Sequence, residues 1–185
     1  RFSVKLIVDN TLATPFCVDV LLFCDLVVES LTKFACGNAD LLFGAIVVKD
    51  KVLISLLSEN VIPPFEGEVK RLGYEILEYE NRVRKISENT TLLYNFLKKQ
   101  PKVLEIKSVF HEASSENFSK IQNGNNVPGL LSVVFDEDLA YYNYLKSEKG
   151  LSKLEELGIN PNLLRISVGI EPIEDIIKAF QLVLE

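Results

Sequence analysis

Val27-Val28-Glu29-Ser30-Leu31-Thr32-Lys33 is the stretch from which the rest of the chain is read. An apolar run, Leu26-Val27-Val28, ends in two hydroxyls and a lysine. A second run, Leu6-Ile7-Val8, ends in Asp9-Asn10-Thr11. Both read as buried strands whose polar residues begin where the apolar run stops. In open α/β sheets ligands bind just beyond the carboxyl ends of the strands. An acid and an amine at two neighbouring strand ends can therefore face one ligand. Spacing alone leaves the plainer reading open, in which Lys33 is a solvated loop residue and Asp9 a turn residue.

The totals narrow the class. A chain of 185 residues suits one large domain or two small ones, and 48% hydrophobic with 25% charged residues is ordinary for a globular protein. A net charge of −6 and a pI near 5.0 offer no basic stripe for a phosphate backbone, which argues against nucleic-acid binding. The longest apolar run, Leu41 to Val48, is far short of the ~20 residues a membrane span needs. No basic stretch followed by an apolar core opens the chain, so no signal peptide is expected. Cys17, Cys24 and Cys36 are odd in number and match no zinc spacing, and no metal site is expected. They read as buried thiols in a reducing, cytoplasmic compartment. The first residue is Arg1, so the chain is not expected to begin at a translation start.

Along the chain, Lys5–Val8, Leu26–Glu29 and Leu41–Val48 read as strands, apolar on both faces and thus expected between covering helices. Lys51–Glu59 reads as an amphipathic helix stopped by Pro63-Pro64. Phe65–Leu72 reads as a short helix interrupted at Gly73. Tyr74–Lys99 reads as one long helix, with Ile76, Val83, Ile86, Leu93, Phe96 and Leu97 recurring on one face, ended by Pro101. Val103–Val109, Gly129–Phe135 and Leu164–Val168 read as strands. His111–Asn126 reads as an exposed polar loop. Asp136–Lys146, Ser152–Leu157 and a last segment from Pro172 to Leu184 read as helices. The sum is the tail of an α/β domain, a long connecting helix and a smaller α+β domain, divided as residues 1–85 and 86–185.

Three segments carry a resemblance. Val8-Asp9-Asn10-Thr11-Leu12-Ala13-Thr14-Pro15 resembles the V-D-N-T-x-A-T-P signature of the Cys/Met-metabolism enzymes that depend on pyridoxal phosphate. That family includes cystathionine synthases and lyases, methionine γ-lyase and O-acetylhomoserine sulfhydrylase. Ser30-Leu31-Thr32-Lys33-Phe34 resembles its S-x-T-K-[YF] cofactor-lysine motif, and Leu164 to Glu171 resembles its R-[LI]-S-V-G-I-E motif. The resemblance implies the aspartate-aminotransferase type of fold (fold type I), here the end of the large α/β domain plus the smaller C-terminal domain. It implies that Lys33 carries the cofactor and moves protons once freed. Ser30 and Thr32 would bind the cofactor phosphate, and Asp9 would pair with the pyridinium nitrogen. Arg165 would clamp the substrate α-carboxylate with its planar fork. The implied reaction is γ-replacement or β/γ-elimination on cystathionine or an O-acylhomoserine. The implied assembly is a homo-oligomer, a dimer or tetramer, with active sites shared between subunits. The alternative is a noncatalytic paralogue serving as a structural or regulatory partner.

The match also departs from the family pattern. The family's phosphate-cradling glycine loop, its ring-stacking tyrosine, and the Tyr and Arg that reach a neighbouring subunit's phosphate have no counterpart here. Only Ser147-Glu148-Lys149-Gly150 stands where the family has a longer segment with an S-L-G motif. After Lys33 the family commonly has G-x-x-D-x-x-G-G, whereas here Phe43 occupies one glycine position. These absences are expected to reflect a chain that is part of a longer polypeptide. His111 reads as a surface residue, and Tyr141, Tyr142 and Tyr144 read as helix packing. Nothing around Cys36 argues for an activated thiol.

Overall fold

The computed structural model describes residues 4–136 and 156–184. The chain divides into two compact units, Arg1–Lys85 with Ser119–Pro128, and Ile86–Phe118 with Gly129–Glu185. Residues 137–155 lie outside the described set. They include most of the two helices expected between Asp136 and Leu157, the tyrosines Tyr141, Tyr142 and Tyr144, and the Ser147–Gly150 join.

The first unit holds a three-stranded sheet in the order β1 (Ile7–Asp9), β2 (Leu26–Ser30), β3 (Gly44–Val48). β1 and β2 are parallel, with Asp9 opposite Val28, so both strands end at the same edge. β3 returns antiparallel, with Gly44 opposite Ser30. The sequence expectation of strands buried on both faces holds only for the start of β2, where Leu26 and Val27 are buried. Ile7 is 61% exposed and Ile46 46%. An apolar run shows that a strand favours burial but not that anything covers it. β3 is also shorter than expected, because Leu41 turns into a small core with Cys36 and Leu72.

The helices of this unit follow from their ends. α1 (Lys51–Ser58) starts where the Asp50 side chain accepts the Val52 N–H, a normal N-cap. α2 (Glu66–Glu75) runs through Gly73 rather than stopping there. A 3₁₀ turn over Ile76–Glu78 then leads into α3 (Tyr79–Leu97), whose first residues belong to the first unit and whose remainder belongs to the second. The break between α2 and α3 thus falls a turn later than the glycine.

The second unit is an antiparallel sheet of β4 (Val103–Lys107), β5 (Leu130–Phe135) and β6 (Leu163–Ser167). Leu93 and Leu97 of α3 pack with Leu131, Val133 and Phe135 of β5, and α5 (Ile173–Leu184) closes the cluster through Ile173. These are the residues whose spacing in the sequence marks an apolar face. The segment expected to be a polar loop contains α4 (Glu112–Ile121). Phe118 is the main apolar residue on that helix to be part-buried, so no periodic stripe betrays it. His111 begins it: its carbonyl accepts from Ser114 and Ser115.

Gly73 meets no atom within 4 Å where a Cβ would stand and does not require a left-handed backbone. Gly73→Ala is therefore expected to stabilise the protein by about 0.5–1 kcal/mol. The check is the urea unfolding midpoint, which should rise; a lower midpoint would contradict this account of α2.

Candidate active site

The parallel pairing of β1 and β2 delivers Asp9 and Ser30 to one edge of the sheet, and the loop after β1 is strapped down there. Asn10 is buried; its backbone N–H donates to Val28 and its side chain to the Val18 carbonyl at 3.1 Å. Thr14 is buried with φ +64°, a conformation costly for a β-branched residue. It is held by its own N–H to Asn10 and by Cys17 and Val18 N–H groups on its carbonyl. Between them stands Thr11. Its backbone N–H donates to Asp9 Oδ1 at 2.9 Å, and its hydroxyl oxygen accepts the Ser30 N–H at 2.8 Å. One residue thereby ties the ring-acid candidate to the start of the S-x-T-K motif.

That arrangement sets the charge of Asp9. The Thr11 side chain and backbone hydrogen bonds hold its carboxyl below the usual carboxylate range; slight burial opposes them, and the Lys33 charge adds to the lowering. The Lys33 charge is the smallest of these influences. Lys33 itself is exposed at the start of a turn, its N–H on Ser30 and its carbonyl accepting from Gly37.

Thr32 is engaged differently. Its hydroxyl donates to the Phe43 carbonyl at 3.3 Å and accepts the Phe43 N–H at 3.0 Å. The Leu31 N–H donates to the same carbonyl at 3.0 Å. The Thr32 hydroxyl therefore clasps the return strand, with its proton committed to backbone.

Arg82 of α3 fixes the other side of the Lys33 turn. Its guanidinium donates to Phe34 O at 2.9 Å, Ala35 O at 2.8 Å and Glu75 O at 2.9 Å. Gly37 lies against it with φ +79°, and a Cβ there would stand 2.6 Å from Arg82 Cζ. Behind the sheet edge, half-buried Glu29 accepts the hydroxyl of buried Tyr79, whose ring meets Phe16 edge-on at 4.9 Å. Asp9, Ser30, Thr32 and Lys33 all stand on the first unit. Arg165 stands exposed on β6 of the second unit, opposite Ser132. Its motif is anchored by Asn89, which donates to the carbonyls of Gly169 at 2.9 Å and Glu171 at 2.8 Å. Sequence reading assigns no role to Thr11, Arg82, Glu29 or Tyr79. Thr11 had a signal in its place within the V-D-N-T signature; Arg82 had none.

Residues 1–151 match the family model described as Cys/Met metabolism PLP-dependent enzyme. The chain belongs to this family. It is 30% identical, over 98% of its length, to an L-2-amino-4-chloropent-4-enoate dechlorinase/desaturase from Streptantibioticus cattleyicolor, of which it covers 43%. It is also 30% identical to a cystathionine gamma-synthase from Haemophilus influenzae, over 95% of this chain and 52% of that one. The first alignment runs over 215 positions against 185 residues, so that relative carries segments this chain lacks. Among solved structures, a methionine gamma lyase from Micromonospora echinospora superimposes with a TM-score of 0.83 at 20% identity, over 98% of this chain and 57% of that one. Cystathionine gamma-lyase from yeast gives 0.82 at 22% identity, over 98% and 55%. The α/β fold expected from the motifs is the fold of these enzymes. The chain spans about half the length of the relatives it matches.

The donor set fits the family's cofactor. A carboxylate kept ionised suits a protonated ring nitrogen, and an accessible amine within its field suits the aldehyde carbon.

Two outcomes are expected. In carboxyl-13C NMR titrations, Asp9 should titrate below an ordinary aspartate, and Thr11→Val should move it back up by removing the larger of the two hydrogen bonds; an unmoved midpoint would break the link. Gly37→Ala should cost about 1–3 kcal/mol in denaturant unfolding. In an Arg82→Ala background the same change should cost only the part due to its backbone angle, and strict additivity would show that the two residues do not press on each other.

Proposed function

We propose that this chain is the cofactor-carrying part of a pyridoxal-phosphate enzyme of sulfur amino-acid metabolism. Its reaction is γ-replacement or β/γ-elimination on an amino acid such as cystathionine or an O-acylhomoserine. The reading rests on one observation above the others: Asp9 and the Ser30–Lys33 turn follow the ends of two paired parallel strands, inside motifs of a PLP-dependent family. The names of the relatives support the chemistry, since both concern bonds to the β or γ carbon of an amino acid.

Pyridoxal phosphate, when bound, supplies an electron sink for negative charge at the substrate α-carbon. Asp9 holds the proton at the ring nitrogen, which its depressed titration allows it to do at neutral pH. Lys33 holds the cofactor and, once released, its Nζ moves protons between the α and later carbons. The Ser30 hydroxyl serves the phosphate; Thr32 acts by keeping β2 clasped to Phe43. Arg165, from the motif it occupies, takes the substrate carboxylate as a bidentate partner. We further propose that the enzyme works as a homo-oligomer, a dimer or tetramer, whose active sites are shared between subunits. Three buried free thiols suit a reducing, cytoplasmic setting. No helix among the described residues is long and apolar enough to cross a membrane.

The test is borohydride reduction of the purified full chain incubated with pyridoxal phosphate, followed by peptide mass analysis. A pyridoxyl adduct is expected on Lys33, with none at that peptide in Lys33→Ala. Modification spread over surface lysines, or none, would reject the enzyme reading and leave a noncatalytic protein.

A further inference from the structure

The loop that follows Asp9 is strapped by a turn far along the chain. Gln122–Asn126 stands within Ser119–Pro128, the late segment that belongs to the first unit. The Asn123 backbone N–H donates to the Cys17 carbonyl at 2.7 Å. Its side-chain amide donates to the Pro15 carbonyl, 108 positions earlier, at 2.9 Å. The Asn126 side-chain amide donates to the Phe16 carbonyl at 3.3 Å. Val18 pairs with Gln122 in an isolated antiparallel bridge. The Gln122 side chain donates to the Asn126 carbonyl at 3.0 Å and closes the turn on itself. One turn thus collects the carbonyls of Pro15, Phe16 and Cys17 in succession.

The strapped residues are the ones on which the Asp9 geometry leans. Cys17 and Val18 are buried, and their N–H groups donate to the Thr14 carbonyl. The Val18 carbonyl accepts the Asn10 side chain at 3.1 Å. Asn10 stands between Asp9 and Thr11, and the Thr11 N–H donates to the Asp9 carboxylate at 2.9 Å. Hydrogen bonds and adjacent residues therefore run without a gap from the turn to the carboxylate. Backbone carbonyls in a buried segment need partners, so the strap fixes where Pro15–Val18 can lie.

We infer that Asn123 and Asn126 are positioning residues of the Asp9 site, holding the Pro15–Val18 segment against which Asn10 and Thr11 are set. The inference rests on the proposed cofactor site and adds to it two residues that the motifs do not assign. Their action passes through the loop backbone to Thr11. A side-chain amide suits it, because its NH2 group donates to a carbonyl where a carboxylate could only accept. A supporting shell of this kind decides how tightly a site residue is held.

The test has two arms. Asn123→Ala combined with Asn126→Ala removes both side-chain donors. In the cofactor-free full chain, carboxyl-13C NMR should find the Asp9 midpoint raised by about a third of a unit or more, because its Thr11 hydrogen bonds loosen. Asn123→Asp keeps the size of the side chain and turns an acceptor toward the Pro15 carbonyl. It should raise the midpoint too, and it decides the matter should the double variant not fold. Asn125→Asp, the same charge change on an exposed neighbour in the turn, should move it much less. An Asp9 midpoint unmoved in the Asn123 variants, even with stability lowered, would make the turn a structural tie alone and overturn the inference. A shift in Asn125→Asp as large as in Asn123→Asp, with none in the double variant, would trace it to surface charge and overturn it equally. In the second arm, the double variant should bind pyridoxal phosphate about twofold more weakly or worse, read from the visible absorption. Failure of the unaltered chain to give any visible absorption would count against the proposed function, while the first arm would still decide the role of the turn.

Discussion

Thr11 is the residue on which the site geometry depends. Its backbone holds the Asp9 carboxylate, and its side chain receives the first N–H of the S-x-T-K motif. Parallel strands have no shared hairpin to fix their relative ends, so some other contact must register them beyond the last ladder bond. Thr11 is that contact. It works only if the loop after β1 keeps its shape, which explains the residues around it. Asn10 closes the loop onto Val18, and Thr14 accepts an unfavourable backbone angle while its carbonyl collects two N–H groups. Strain at a buried, over-determined position next to charged groups is common where geometry serves a site.

The same contact produces an electrostatic division. An aspartate held below its ordinary range stabilises the fold above its unfolded titration point, and that contribution is lost as pH falls. Glu29, raised by burial, has the opposite sign: its contribution is present at low pH and is lost as pH rises through its folded value. The two acids therefore oppose each other in the pH dependence of folding. Cys17, on the same loop, is pushed up to about 11 by burial, so this thiol stays neutral at physiological pH and is no nucleophile.

Much of this was legible in the residues. The strand ends, the acid and the lysine were marked by apolar runs that stop at hydroxyls and charges. α1, α5 and the central part of α3 were marked by caps and periodic apolar faces. Other features left no local trace. α4 is polar nearly all round, so its helical hydrogen bonds are its only signature. β3 runs antiparallel, which an apolar run cannot report. Arg82 binds carbonyls 47 and 48 positions away, and a backbone oxygen carries no side-chain identity to match against. The contact that Thr32 makes with Phe43 left no trace for a related reason. A hydroxyl at a strand end has the same chemistry whether it meets a phosphate or a peptide group, and only the approach of Phe43 decides between them.

Phe43 shows how a departure from the family pattern can be absorbed. The clasp on Thr32 uses only the backbone N–H and carbonyl of residue 43, which a glycine supplies equally well. The phenyl ring is an addition: it packs against the small core of Cys36, Leu41 and Leu72. Burying part of an aromatic side chain there contributes on the order of 1–2 kcal/mol, and it removes the backbone freedom a glycine would bring. On the opposite side of the same turn, Gly37 must stay small because Arg82 fills the space a Cβ would take. The turn bearing Lys33 is thus held from two directions by different means, an apolar anchor at Phe43 and a cation on three carbonyls at Arg82. Neither contact touches the lysine amine, which remains exposed and free to turn toward Asp9. A turn held from two sides with its amine left exposed is the arrangement expected of a residue that must first hold a group and then release it.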